Sequence, residues 1–289
     1  MADTFRRDNH PLVTLLIAVF IIAVLLLPAT RNGCGPHEDY YHFSYNAFGC
    51  DVNGQINVWD RSNRVSPVTV IESKLDSMVV MLDATVENSG IAQLNRCEIN
   101  KDFTIPAQLA EVLRIAQGFS SISDGIFFFP DGVTLDSANR KFSRSNASAM
   151  INLEELQCGY SVDKTIKTLR EYGTSGALLN VGGNYFALGR PEKNRKWHID
   201  VHDPQSNAVV ATLKLVNKAC TIDKNVAVIG RNATTTDAVA SIICKLPDDQ
   251  VFEFLKEYYP GIDALLITDN GTLKMTDGVE QYLVTNKID

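Results

Sequence analysis

From Leu12 to Leu27 the chain is apolar except for Thr14, and Pro28 closes the run. As a helix rising ~1.5 Å per residue, such a run spans most of the hydrocarbon core of a bilayer, a little short of the ~20 residues usually needed. A segment of this kind divides the chain before any fold is considered: residues 1–11 form a polar N-terminus, 12–28 a transmembrane signal anchor, 29–45 a linker and 46–289 the folded domain. A cleaved secretory signal is the alternative, but its apolar part is normally ~7–15 residues. "LPATRNG" is also a poor small-x-small cleavage site, and "RNGC" is no lipobox. Arg6 and Arg7 precede the run, so the positive-inside rule keeps Met1 in the cytoplasm. The protein is then expected to be single-pass in the cytoplasmic (inner) membrane, with its main domain periplasmic or otherwise extracytoplasmic.

The stretch beyond the anchor is long enough to bury a core, in a chain of 289 residues that is 45% hydrophobic and 21% charged. The balance of 27 Lys+Arg against 34 Asp+Glu gives a net charge of −7, with no basic run interleaved with aromatics. Nucleic acid is therefore not an expected partner. Export would place Cys34, Cys50, Cys97, Cys158, Cys220 and Cys244 where disulfides persist. Connectivity cannot be read from spacing; Cys34 and Cys50, flanking the aromatic-rich "GPHEDYYHFSYNAFG", are the first pair to consider. No C-x-x-C or His-rich cluster suggests structural zinc.

The domain alternates helical and extended patterns. "DVNGQINVWDR" reads as a strand, "VTVIESKLDSMVVMLDATV" as an amphipathic helix, "SGIAQLNR" as a loop or short turn, and "PAQLAEVLRIAQGFSSIS" as a helix opened by Pro106. "GYSVDKTIKTLREYG" reads as a helix stopped by Gly173, followed by strands "ALLNV" and "YFALG" around Gly182-Gly183. Paired glycines between apolar runs mark a tight turn or a close backbone approach. "KWHIDVHDP", "VVATLKLV" and "NVAVIG" read as strands, "TTTDAVASIICKL" as a helix with a Thr/Asp capping signal, and "DQVFEFLKEYYPG" as a last helix. "DALLITDNG" and "LKMTDGVEQYL" finish the chain as strands. The fold class is α+β, with mixed or antiparallel sheets and flanking helices.

Six segments, in order, carry a family resemblance: "FGCDVNGQINVWD", "ENSGIAQLNR", "SISDGIFFFPD", "NLEELQCGYSVDKTIKTLREYGTSGALLNVGGNYFALG", "WHIDVHDP" and "TTTDAVASIICKL". Over residues 46–284 the chain resembles the ApbE-type FAD:protein FMN transferases. That resemblance implies the ApbE-like fold, FAD and Mg²⁺ as ligands, and transfer of FMN to a Ser/Thr of a partner redox protein. It places the cofactor-binding positions at Gly159, Tyr160, Asp163, Asn180, Gly182 and Gly183. The family's Asp-x-x-x-Thr metal pair falls on Asp237 and Ser241, one helical turn apart, and Glu155 is a further candidate metal ligand.

The same resemblance exposes departures. The family's "Asp-Leu-Gly-Gly-Ile-Ala-Lys-Gly-Tyr" falls on "NLEELQCGY", so Glu154 and Glu155 replace both glycines and Cys158 replaces the lysine. Carboxylates there would repel a pyrophosphate. In "GIFFFP" the family's Asp becomes Phe128 and its Thr becomes Pro130. The segment that carries the family's base histidine has no counterpart in "LVNKACTIDKNVAVIG". His198 and His202, at alternating positions of "WHIDVHDP", match a different segment and are expected to face solvent. No residue is assigned a catalytic role. The expected function is a membrane-anchored accessory or scaffold subunit of a membrane redox assembly, the ApbE-like domain having lost catalysis. The alternatives are a divergent Mg²⁺-dependent FMN transferase or a module that holds FAD without transferring it.

Overall fold

The protein is described by a computed structural model covering residues 40–57, 65–192, 194–268 and 270–284. The anchor expected at 12–28 lies outside the described residues, as does Cys34; among those described, no helix is long and apolar enough to cross a membrane.

Eight strands make the main sheet. They are β1 (Tyr40–Ala47), β2 (Cys50–Asn57), β6 (Gly176–Val181), β7 (Asn184–Leu188), β10 (Lys218–Asp223), β11 (Val226–Gly230), β12 (Asp263–Ile267) and β13 (Leu273–Met275), hydrogen-bonded in that spatial order. Every ladder is antiparallel, so the mixed-sheet alternative falls away. Smaller sheets join β3 (Phe103–Thr104), β5 (Lys141–Arg144) and β4 (Val133–Asp136), and β8 (Trp197–His202) with β9 (Val209–Leu215). Residues 40–45, which the sequence pattern gives to the linker, belong to β1, paired residue for residue with β2. Alternation of aromatic and polar residues in "YYHFSYNA" suits an edge strand better than a tether.

The helices are α1 (Pro67–Leu82), α2 (Gly90–Asn95), α3 (Ala107–Ile122), α4 (Glu154–Glu171), α5 (Ala233–Ile243) and α6 (Val251–Tyr258). The short helix α2 replaces the loop expected at "SGIAQLNR", because the Ser89 hydroxyl caps it by accepting from the Ala92 N–H. Helix α4 begins at Glu154, well before the "GYSVD" expected to start it, and Glu154 and Glu155 occupy its electropositive first turn. The terminal "LKMTDGVEQYL" is strand only to Met275, then a 3₁₀ turn over Asp277–Tyr282.

Two helices form the centre. Helix α4 buries ten residues, from Leu156 to Leu169, and α5 is buried at eight of its eleven positions. Ile71 and Leu75 of α1, Val162 and Ile166 of α4, and Val52, Ile56, Leu179 and Val181 of the sheet form one apolar cluster. The opposite sheet face is covered by the β8–β9 hairpin through Trp197, Ile199, Val201, Leu213 and Leu215. His198 and His202 alternate with these residues and face solvent, as the strand pattern requires.

The α4–α5 crossing admits no side chain at Gly159: a Cβ there would lie 2.4 Å from the Ala233 carbonyl oxygen and 2.6 Å from the Asp237 Cβ. Gly159→Ala should therefore destabilise the fold by about 1–3 kcal/mol through overpacking. Gly118→Ala on α3, where a Cβ meets nothing within 4 Å, should raise stability by about 0.4–1 kcal/mol. Urea unfolding of both variants checks the contrast; equal effects would place the strain elsewhere.

Candidate functional site

The positions implicated by sequence gather around the α4–α5 crossing, but most make structural bonds there. Asp163 on α4 reaches across to α5: its carboxylate accepts from the Ala233 N–H (2.8 Å), the Thr234 N–H (2.8 Å) and the Thr234 hydroxyl. It thus satisfies first-turn amides that have no intrahelical carbonyl partner. Asn232 caps the same helix by accepting from the Thr235 N–H at 2.8 Å, so the Thr/Asp signal expected inside "TTTDAV" is supplied by Asn232 and Asp163 instead.

Asp237 returns the contact. Its Oδ2 accepts the Gly159 N–H at 2.8 Å, and Asn184 on β7 adds a side-chain hydrogen bond. The Asn184 carbonyl oxygen in turn accepts from the Thr221 hydroxyl at 2.7 Å. Although the residue keeps some exposed surface, its carboxylate is desolvated. Burial pushes its pKa up to about 7, opposed by the Gly159 and Asn184 hydrogen bonds and reinforced by the nearby charges of Asp223 and Glu155.

Glu155, named with Asp237 and Ser241 as a metal ligand, is ion-paired with Lys245, whose ammonium also donates to the Ile126 carbonyl at 3.1 Å. Sequence reasoning misses Lys245, although it follows Ser241 at the spacing that continues one helical face. Among the described residues no group of three or more His, Cys, Asp or Glu is placed to hold a metal ion. A divalent cation would have to displace the Lys245 ammonium from Glu155 and compete with two hydrogen bonds to Asp237.

Gly182 and Gly183 form a two-residue hairpin turn between Val181 and Asn184, with φ of 56° and 89°. Positive φ at both centres is the twist-matched hairpin geometry that glycine adopts without strain. The Asn180 side chain accepts the Gly183 N–H at 3.0 Å and closes the turn. Packing is tight as well: a Cβ at Gly182 would lie 3.0 Å from the Cys50 Sγ, and one at Gly183 2.6 Å from the Ile222 carbonyl. These contacts fix Asn180, Gly182 and Gly183 in the turn.

Tyr160 and Asp163 differ, because both line a cleft of about 610 Å³ between α3, α4 and the N-terminal turn of α5. Its walls carry Arg114, Lys164, Lys167, Arg170 and Arg231 beside Phe119 and Phe186. Lys164 pairs with Glu111 at 2.8 Å and lies over the Tyr160 ring, and Arg170 lies over Phe186. On a chain of net charge −7 this cleft concentrates cations against aromatic faces.

Between β10 and β11 there are only Lys224 and Asn225, with Asp223 paired directly to Val226 and Lys224 at φ 48°. The Asn225 amide donates to the Ile267 carbonyl at 3.0 Å, pinning the turn to β12. The connection expected to lack the histidine-bearing segment is therefore a minimal hairpin.

A model of the ApbE family matches residues 128–222. A relative from Treponema pallidum (strain Nichols) described as an FAD:protein FMN transferase is 20% identical over 175 residues. That match covers 47% of this chain and 48% of the relative, so the chain spans about half the length of the curated relative it matches. In fold, the ApbE protein of Thermotoga maritima superposes with a TM-score of 0.75 at 16% identity, covering 86% of this chain and 100% of that one. The flavin transferase ApbE of Vibrio cholerae gives 0.75 at 14% identity, covering 85% and 99%. The Pseudomonas stutzeri flavinyl transferase ApbE, in its apo form, gives 0.72 at 14%, covering 86% and 98%.

The sign of the Asp237 shift is testable. Its unfolded pKa is ~3.9, so between ~pH 4 and about 7 the folded state holds a proton that the unfolded state lacks. Its contribution to stability therefore falls as pH rises through this window and levels off above it. Urea unfolding at about pH 5 and about pH 8 should show Asp237→Asn gaining on the parent at the higher pH; a pH-independent difference would refute the assignment. In the sequence of residues 128–222 and in the fold of the described domain, the chain resembles the ApbE-type flavin transferases.

Proposed function

We propose that this chain is an ApbE-fold domain that does not transfer flavin and acts as an accessory subunit of a membrane redox assembly. The observation that carries the reading is the β10–β11 connection: with only Lys224 and Asn225 between the strands, it offers no histidine as a general base. The Glu155–Lys245 ion pair supports it, since the pair neutralises a carboxylate that would otherwise seek a cation. The apolar run at 12–27 behind Arg6 and Arg7 supports attachment to the cytoplasmic membrane with the domain outside. The redox setting comes from the resemblance to flavin transferases, whose acceptors are redox proteins.

One observation favours a second reading, a module that holds a flavin nucleotide without transferring it. The cleft beside Tyr160 and Asp163 offers cations for phosphates and aromatic faces for a planar ring. The Treponema pallidum relative, as an FAD:protein FMN transferase, makes FAD the ligand to try first.

Calorimetric titration of the full chain in mild detergent with FAD, with and without Mg²⁺, tests these readings. The accessory reading expects binding weaker than about 1 mM, under ~4 kcal/mol, in either condition. Metal-independent micromolar binding lost in Arg231→Ala would establish the second reading. Mg²⁺-dependent binding followed by covalent FMN on a Ser/Thr acceptor peptide would overturn both and make the chain a divergent transferase. Native electrophoresis of the detergent-solubilised membrane adds a second check, since the accessory reading expects a complex larger than the free chain.

A further inference from the structure

Cys50 opens β2 and Cys158 sits near the start of α4. They are far apart in sequence, yet they meet at the β6–β7 turn. A Cβ built on Gly182 would lie 3.0 Å from the Cys50 Sγ and 3.8 Å from the Cys158 Sγ, so the two sulfurs flank one small space that glycine leaves open. The two thiols lie close enough for each to affect the other's ionisation, and both side chains pack in the same apolar cluster. The backbone around them is held: the Gly182 N–H donates to the Asp51 carbonyl at 3.1 Å, and the Gly159 N–H donates to Asp237 at 2.8 Å. Neither sulfur is oxidised in the structure.

We propose that Cys50 and Cys158 form a disulfide that staples the β1–β2 hairpin to the central helix α4. This differs from the Cys34–Cys50 pairing that proximity in sequence suggests. The alternatives within the described domain are poorer. Cys220 is fully buried in the opposite cluster beneath the β8–β9 hairpin. The Cys244 thiol is directed at the Asp223 carbonyl oxygen at 3.6 Å. Cys97 packs against the cluster built on α3.

Access sets the order of events. Cys50 is only half-buried and lies beside the exposed Gly182, whereas Cys158 is buried. The Cys50 thiolate attacks oxidised glutathione, forming a mixed disulfide and releasing one glutathione thiolate. Cys158 then gives up its proton and attacks the Cys50 sulfur, releasing the second glutathione. Two protein thiols are oxidised and one glutathione disulfide is reduced to two thiols. Burial, together with the Asp237 charge, raises the Cys158 pKa and makes this second step the slow one. The finished bond closes a long loop, so it restrains the unfolded chain strongly.

The test uses the full chain in detergent, equilibrated in a mixture of reduced and oxidised glutathione, alkylated and digested without reduction. Mass spectrometry should find a peptide joining Cys50 to Cys158, with Cys220 alkylated only after unfolding. The oxidised protein should melt several degrees above the reduced one, and the gap should vanish in both Cys50→Ser and Cys158→Ala. Cys34→Ser should leave the linked peptide and the gap unchanged. A peptide joining Cys34 to Cys50, or free Cys50 and Cys158 after equilibration of Cys34→Ser, overturns the proposal. Because the peptide map reads the parent chain directly, a variant that fails to fold does not leave the question open.

Discussion

The structure turns on a reciprocal clasp between two helices. Asp163 of α4 takes up the first amides of α5, and Asp237 of α5 takes up the Gly159 amide of α4. Each carboxylate loses hydration when the helices close, and charge-assisted bonds to backbone donors offset that loss. Gly159 makes the clasp possible, since the Ala233 carbonyl lies where any side chain would be. Around this crossing lie one apolar cluster shared by α1 and the sheet and another built on α3. The contact joins the two helices that bury the most residues.

The clasp also bears on function. Residues that a flavin-transferase resemblance assigns to ligand binding serve here, in large part, to hold the fold. Asp163 caps a helix, Asn180 closes a hairpin, Gly182 and Gly183 make its turn, and Glu155 is satisfied by Lys245. Asp237 is the exception in character, since a desolvated carboxylate with Asp223 and Glu155 nearby is under electrostatic tension. Its two hydrogen bonds lower that tension without removing it, which is why its proton is held to about neutral pH. The cationic cleft opens beside the N-terminal end of α5 and is lined by Tyr160 and Asp163.

Much of the domain is legible in the chain, for reasons that differ by element. Helices α1 and α3 announce themselves by apolar residues at three- and four-residue spacing, and β8 by strict alternation of Trp197, Ile199 and Val201 with His198, Asp200 and His202. The β6–β7 hairpin is readable from its glycine pair, because few residues other than glycine tolerate positive φ at both turn centres. Strand β10 escapes the sequence pattern, since "KACTID" mixes small and polar residues and is buried at Ala219, Cys220 and Thr221 by neighbours distant in sequence. The pattern also starts α4 too late, because its first turn carries two glutamates, whose helix-stabilising effect depends on position rather than on any apolar periodicity.

The amino-acid sequence by itself determined most of the secondary structure, the tight glycine turn, the solvent-facing strand histidines and the family the domain resembles. All of these rest on local steric and solvation preferences, or on the order of short segments. Tertiary structure alone decided what the polar residues do. Whether Asp237 meets a backbone amide, whether Glu155 meets Lys245, and whether Cys50 lies beside Cys158 depend on contacts between residues far apart in the chain. A carboxylate or a thiol has the same covalent chemistry wherever it stands in the chain. Its partner, its hydration and therefore its role are set only when distant elements close around it.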